Sequence, residues 1–507
     1  MKHYQKAGLT LLLSGSLAIS TLFSSLAATW DSGPAFDSQF GGSASGTTTA
    51  PSAAPTDNIP VVEQLPEGTT VITNDTTGAG TEGDASILEE KDIVAEASGY
   101  TGSVLSVPQR IPRLQTTVLP VDSGVWSSPY VNDQTISADG KPFCIVSTFL
   151  EGIHGDLLYR VYTSTGGWTR WVMNGQQTDF PSSRPAIEAV EYRFNGPVAD
   201  EYDLYYMATL EDGTQTGWAK NGQACGSMAT GHYITSYRLY YCLKGQDPGL
   251  STANTLTAAH ADGIQYVDGV LRYIDGTGSN HTGWGWLGND RYYFIDSYPV
   301  TGWQYIDGYK YYFGEDGKLV SDVESLLAGG PYEIHINKEM NCMTIFAADG
   351  GNGYIIPVKS FLTSTGDDTP TGTFHVPEKF RWRLMIHDVW TQYATRINSG
   401  YPILIHSIIF SANNPYTVWA STYNNLGIAR SAGCIRLSTG DAKWVYDHCP
   451  VGTTIKIYNS KYAGPFERPC IAKEIPFEQT WDPTDPDVTA EGIAAETARI
   501  KAQFGES

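Results

Sequence analysis

Two stretches decide how this chain is read: Pro402-Ile403-Leu404-Ile405-His406-Ser407-Ile408-Ile409-Phe410 and, further on, Ser431-Ala432-Gly433-Cys434-Ile435-Arg436-Leu437. The first is a continuous apolar run carrying one imidazole, the pattern of a fully buried β-strand. The second is a small-residue loop that delivers a thiol at the start of another apolar strand. Taken singly, a histidine in such a strand is ordinarily a satisfied core residue, and a cysteine in such a loop a small buried hydrophobe. Together they are a stronger signal than either alone. Gly433 allows close backbone approach and predicts an unusual dihedral just before the thiol. Turn N–H groups can point at a developing oxyanion, and Arg436 adds a permanent positive charge. A free thiol has a pKa near 8.5. Burial among Ile405, Ile408 and Ile435 would raise it, whereas an imidazolium at His406 and the Arg436 charge would lower it. The expectation is that the charges prevail, making Cys434 more reactive at pH 6 to 7 than the other six cysteines.

The surroundings extend the pattern. Apolar segments Tyr332 to Asn337, Met343 to Ala347 and Tyr354 to Lys359 alternate with Gly- and Asp-rich turns. Ser438-Thr439-Gly440-Asp441 reads as a capping box that opens a short helix through Trp444 to His448, stopped by Pro450, before a closing strand Thr453 to Tyr458. Ser411 to Arg430 is long, polar and Asn-rich, and is expected to be a mobile lid. Ile493, Ile500 and Phe504 fall on one face of a short C-terminal helix.

Residues 331 to 460 resemble the L,D-transpeptidase catalytic domain of bacterial cell-wall enzymes. The resemblance is carried by His406-Ser407, by Ser431-Ala432-Gly433-Cys434-Ile435-Arg436, by Asp441-Ala442-Lys443-Trp444 and by Pro370-Thr371-Gly372-Thr373-Phe374. It implies Cys434 as nucleophile, His406 as base and Ser407 orienting the imidazole through its main-chain carbonyl. Ser431, Gly433 and Arg436 would shape the substrate and oxyanion site. Many relatives carry His where this chain has Ala432, so no second imidazole is required here. The implied reaction is acyl transfer on peptidoglycan tetrapeptide stems, which serve as donor and acceptor of a 3→3 crosslink. Water as acceptor would make it an L,D-carboxypeptidase. Covalent inhibition by carbapenem-type β-lactams is expected. No cofactor and no metal are needed, since thiol, base and oxyanion donors suffice.

Two self-similar passages precede this region. Gly167-Trp168 ahead of Asn174-Gly175-Gln176 matches Gly217-Trp218 ahead of Asn221-Gly222-Gln223, within residues 121–250. These resemble the hydrophobic Gly-Trp repeats of Gram-positive surface proteins, with the Asn-Gly pairs as hairpin turns. In residues 262–323, Gly283-Trp284 leads to Arg291-Tyr292-Tyr293-Phe294, and Gly302-Trp303 leads to Lys310-Tyr311-Tyr312-Phe313. They resemble cell-wall-binding repeats of the choline-binding type, which stack hairpins into a β-solenoid. That resemblance implies a wall polymer or glycan held at Trp284, Trp303, Tyr292 and Tyr311, on an anchor separable from the catalytic domain.

The 507 residues carry a net charge of −22, which disfavours nucleic acid and anionic lipid as partners. Half of that charge lies between Asp31 and Gly99, where twelve acids face one base, Lys91, amid Ser, Thr, Gly and Pro. Residues 28–120 therefore read as a disordered linker. Lys2 and Lys6 precede an apolar run ending in Ser25-Leu26-Ala27, which reads as a secretory signal over residues 1–27 cleaved near Ala27; with the resemblance of the repeats, this implies a secreted protein associated with a Gram-positive-type cell wall. Seven cysteines without C-x-x-C or zinc spacing exclude a disulfide scaffold and a structural zinc site. A sortase would need its Arg well beyond the Cys on another strand, and a papain-like amidase its Cys before its His. The chain is thus expected to be mainly β: β-repeat modules after the linker, a sandwich-like catalytic domain with a short helix after Cys434, and a tail over residues 461–507. The non-enzymatic alternative is a wall-binding surface protein.

Overall fold

The computed structural model describes residues 105–107, 109–179 and 182–504. The expected export signal over residues 1–27 and the acidic stretch from Asp31 to Gly99 lie outside them. The described chain is mainly β, as its composition and periodicity suggest.

The N-terminal unit starts earlier than residue 121. Arg113–Pro120 is a regular strand paired antiparallel with Phe143–Glu151, so the linker assigned to 28–120 runs too far. Its alternating Leu114, Thr116 and Val118 are buried, a signal too short to stand out beside the acidic run. Two further antiparallel pairs, Asp156–Thr163 with Ala189–Asn195 and Tyr202–Leu210 with Ile234–Leu243, share one core containing Leu157, Tyr159, Tyr192, Leu204, Tyr206 and Leu239. One local device occurs twice. The Leu157 N–H donates to Asn174 Oδ1 at 2.8 Å, and Asn174 Nδ2 donates to Asp156 Oδ1 at 2.8 Å. The Leu204 N–H donates to Asn221 Oδ1 at 2.9 Å, and Asn221 Nδ2 donates to Asp203 Oδ1 at 2.8 Å. The Tyr159 and Tyr206 hydroxyls donate to the carbonyls of Gln176 and Gln223. Both Asn-Gly pairs have positive φ (36° and 84°, 44° and 93°), the tight-turn conformation that Asn and Gly tolerate best.

Three hairpins follow: Gly263–Val267 with Val270–Ile274, Gly283–Leu287 with Asp290–Ile295, and Gly302–Ile306 with Tyr309–Phe313. Their tyrosines and phenylalanines pack rung on rung. Tyr273, Tyr292 and Phe294 form one cluster, and Tyr311, Phe313 and Ile306 another.

The C-terminal unit has two sheets. One has the strand order Tyr354–Leu362, Cys342–Ala348, Tyr332–Asn337, Thr454–Tyr458, Gly372–His375. The other runs Lys379–Leu384, Trp390–Arg396, Leu404–Ser407, Ile435–Leu437. A single core joins them: Ile334, Ile336, Val358 and Ile457 from the first sheet, Tyr393, Ile405, Ile435 and Leu437 from the second, and Ala442 and Val445 from the helix Thr439–His448. Ser438 caps that helix, its hydroxyl accepting from the Asp441 N–H at 3.2 Å.

The tail is a strap. Arg468 donates from Nε to the Met340 carbonyl at 2.7 Å, from Nη1 to Asp156 at 2.7 Å and from Nη2 to the Gly427 carbonyl. It ties the first repeat to the catalytic unit. The tail ends in a helix, Ala490–Phe504, in which Ile500 is buried but Phe504 is 53% exposed, so the expected apolar face is only partly docked.

Candidate active site

Leu404–Ser407 and Ile435–Leu437 pair in parallel, with Ile405 opposite Ile435 and His406 opposite Arg436. A parallel pair needs a long crossover, which residues 408–434 supply. Side chains alternate across a strand. Ile405, Ile435 and Leu437 enter the inter-sheet core, while Leu404 and Cys434 join a second cluster on the opposite face with Met385, Val389, Ala394 and Ile409. His406 and Arg436 are in phase with that second face. The distant His and Cys of the sequence are thus brought together by strand register.

His406 is fully buried. Its Nδ1 lies 2.5 Å from the Ser407 carbonyl and 2.8 Å from Thr391 Oγ1. A carbonyl only accepts, so the proton sits on Nδ1 and the Nε2 lone pair remains, without a hydrogen-bond partner. Thr391 Oγ1 also donates to the Ser407 carbonyl at 3.0 Å, and Ser407 Oγ accepts from the Gln392 N–H at 2.8 Å. Thr391 was not singled out in the sequence. It is one of two threonines in its strand, and nothing local marks it as a neighbour of His406.

Burial pulls the His406 pKa down to about 4, against a smaller upward push from the Ser407 carbonyl. The imidazole is therefore neutral at neutral pH. This corrects the expected resting imidazolium: burial removes the solvation that the cation would need. Arg436 is also lowered by burial, to about 10, and stays charged.

The loop before Cys434 is tied from outside. Ser431 Oγ donates to the Cys434 carbonyl at 2.5 Å, the Asp368 N–H to the Ala432 carbonyl at 3.1 Å and Thr369 Oγ1 to the Gly433 carbonyl at 2.7 Å. Thr369 immediately precedes the Pro370–Phe374 element. The φ of Gly433 is not positive. Its role is close approach, since a Cβ there would sit 3.3 Å from Asp368 and from Ile403 Cδ1. Gly366 is tighter still: a Cβ would lie 1.9 Å from the Ser431 carbonyl oxygen.

Cys434 is only 2% exposed. Met385 and Val389, at the tip of the hairpin formed by Lys379–Leu384 and Trp390–Arg396, pack in its cluster, with Phe380 and Trp419 against them. Residues 411–430 are not a free lid. They contain a helical turn, Ala420–Asn424, and share a core with Ile471 and Ile475 of the tail. Asn424 exchanges two hydrogen bonds with the Ile475 backbone, at 2.8 and 2.9 Å.

The aromatics assigned to wall binding serve packing instead. Tyr292 and Tyr311 are each 3% exposed. Trp284 is covered by Arg291 at 3.6 Å and by the edges of Tyr293 and Tyr311, with its Nε1 donating to Asp307. Trp303 packs on Tyr312 and on the catalytic core. Stacking neighbours consume the faces that a ligand would use.

Residues 331–457 match the L,D-transpeptidase catalytic domain family (YkuD). The Bacillus subtilis (strain 168) protein YciB, an L,D-transpeptidase by name, is 31% identical over 140 residues, which are 26% of this chain and 71% of that one. Among solved structures, a fused zinc-dependent amidase/peptidase/peptidoglycan-binding-domain protein of Clostridium acetobutylicum ATCC 824 is 29% identical, with a TM-score of 0.19. That match covers 25% of this chain and about half (51%) of the other. L,D-transpeptidase 3 of Mycobacterium tuberculosis, solved with a faropenem-derived adduct, is 19% identical over 36% of this chain and 79% of its own, with a TM-score of 0.19. Through its C-terminal catalytic domain, the chain belongs to the L,D-transpeptidase family.

Proposed function

We propose that the protein is an exported, wall-retained L,D-transpeptidase that forms 3→3 crosslinks between peptidoglycan stems. One observation carries this reading: His406 is anchored at Nδ1 by Ser407 and Thr391, keeps a lone pair on Nε2, and lies in register beside the strand that issues from Cys434.

The chemistry follows from that geometry. A donor stem enters by displacing the hairpin tip at Met385 and Val389. Cys434 Sγ attacks the carbonyl of the third stem residue as His406 Nε2 takes the thiol proton. N–H groups of the 431–434 loop and the Arg436 charge stabilise the oxyanion. The C–N bond to the fourth residue breaks, and Nε2 returns the proton to the leaving amine. An acceptor amine then attacks the thioester, gives its proton to Nε2 and is released as an amide, and the thiol is restored. A neutral resting imidazole suits this sequence, because it can take the thiol proton as the bond forms. Covalent inhibition at Cys434 by carbapenem-type β-lactams is the corresponding expectation; L,D-transpeptidase 1 of Mycobacterium tuberculosis was solved with imipenem and L,D-transpeptidase 3 with a faropenem-derived adduct.

The test is incubation of the full chain with disaccharide-tetrapeptides, read by mass spectrometry. Dimers joined 3→3 are expected, and Cys434→Ala should lower their formation by at least about 10³-fold. Tripeptide alone would identify an L,D-carboxypeptidase, and neither product would overturn the reading.

A further inference from the structure

A cavity of about 430 Å³ lies where the first repeat, the hairpins, the catalytic sheet and the strap meet, within the usual size range of ligand sites. Its walls hold Trp168, Trp171, Trp284 and Trp286 together with Arg160, Arg170, Arg291, Lys461 and Arg468. Only two carboxylates, Asp307 and Glu467, line it. In a chain of net charge −22, such a cationic concentration is unexpected.

The ion-pair accounting sharpens this. Arg160 is paired with Glu191, Lys461 with Asp179 and Arg468 with Asp156. Glu467 is taken by Arg193, and Asp307 accepts from the Trp284 indole. Arg291 and Arg170 remain. Among the described residues, no carboxylate lies within ion-pair distance of either. Arg291 stacks between Trp284 at 3.6 Å and Trp286 at 5.3 Å and donates from Nη1 to the Pro465 carbonyl. Arg170 is exposed at the rim, over the Tyr462 ring. Three buried donors around the cavity also lack an acceptor: Trp168 Nε1, Trp171 Nε1 and Arg291 Nε. Arg291, which feels Glu467 and Asp307 only from beyond ion-pair distance, Arg170 and the three unused N–H groups together suit an anion rich in acceptors. Trp168, Trp171 and Trp286 in the cavity wall are only half-buried, which leaves part of each indole for the apolar face of a sugar ring.

We propose that this cavity binds an acidic saccharide of the wall, a sugar bearing a carboxylate or a phosphate. The reading rests on the wall function proposed above. Bound there, the polymer would touch the repeats, the strap and the catalytic sheet at once, and so hold the catalytic domain at the wall.

The test uses the full chain carrying Cys434→Ala, so that turnover plays no part and the outcome is independent of the acyl-transfer reading. Calorimetric titrations compare an N-acetylglucosamine–N-acetylmuramic acid disaccharide, N-acetylglucosamine 6-phosphate, neutral chitobiose and inorganic phosphate. One of the two acidic ligands should bind one-to-one, more weakly as salt rises, and at least about tenfold better than chitobiose. The better of the two identifies the acidic group as a muramic carboxylate or a sugar phosphate. Arg291→Met, which keeps the aliphatic stem, and Arg170→Gln should each weaken that binding by about tenfold, the latter without changing the melting temperature. Equal binding of chitobiose, binding of inorganic phosphate as tight as that of either acidic ligand, unchanged binding by both variants, or no binding at all would each overturn the proposal.

Discussion

Asp156 and Asp203 occupy the same position in the two N-terminal repeats, and both accept from the asparagine of their own Asn-Gly turn at 2.8 Å. Their charges are spent differently. Asp156 is wholly buried and paired with Arg468, more than three hundred residues away in the strap. Asp203 is answered within its own repeat by Lys220 at 2.9 Å and Lys244 at 3.5 Å, both well exposed. The local turn is retained in both copies, while one carboxylate has been drawn into holding the catalytic unit. A repeat can keep its fold and still change what it is attached to.

The harshest way to break this comparison is Asp156→Asn. The amide keeps an acceptor for Asn174 but leaves Arg468 charged, buried and unmatched. A loss of about 3–5 kcal/mol of stability is expected, read from urea unfolding of the full chain. Activity should fall as well, because Arg468 also holds the Met340 and Gly427 carbonyls beside the catalytic loop. A variant as stable as wild type would mean that the buried pair contributes no more than its replacement.

The catalytic site supplies a second contrast, since its geometry depends on contacts distant in sequence. Thr391→Val removes the hydroxyl that meets His406 Nδ1 and the Ser407 carbonyl while keeping the side-chain volume. The turnover rate should fall by about tenfold with KM little changed, and Thr391→Ser should restore it. The pH profile tests the same assignment. Because the folded pKa of His406 is lowered to about 4, the base is neutral over most of the accessible range. The acid limb of activity should therefore lie near pH 4, where the imidazole becomes protonated, rather than near the ordinary 6.5. An acid limb at 6.5 would show that the working site is far more hydrated than the closed one.

The features readable in the sequence are those with short-range causes. The apolar run around His406, the Ser438 cap and the Asn-Gly turns each follow from residues a few positions apart. The family match came from the same short motifs. What escaped the reading depends on distant partners. Thr391 matters only because its strand pairs next to that of His406. The 411–430 segment looked like a lid because the tail residues that pin it, Ile471 and Ile475, are some fifty positions away. Tyr292 and Tyr311 looked like ligand platforms because a solenoid's packing aromatics and its binding aromatics have the same sequence signature. The neutral state of His406 required knowing its burial, which no local pattern provides.

The smallest expected effect belongs to Asp203, and its sign can be worked out. Burial raises its pKa, but the bonds from Lys220, the Gly245 N–H and Asn221 together outweigh that and hold it at about 2, below the ordinary 3.8. A lowered carboxylate pKa favours the folded state above the unfolded value, and that contribution is lost as pH falls from about 3.8 through 2. Asp203→Asn should thus cost about 1–2 kcal/mol at pH 7, discounted because the lysines are partly exposed and screened, and only a small part of that at pH 2. The difference between variant and wild type should shrink with added salt at pH 7, since screening weakens the lysine pairs. Asp156→Asn should show far less of that salt dependence, because Arg468 and Asp156 are both shielded from solvent. Equal losses and equal salt responses in the two variants would mean that the copies never diverged energetically, and that the strap is held by something other than Asp156.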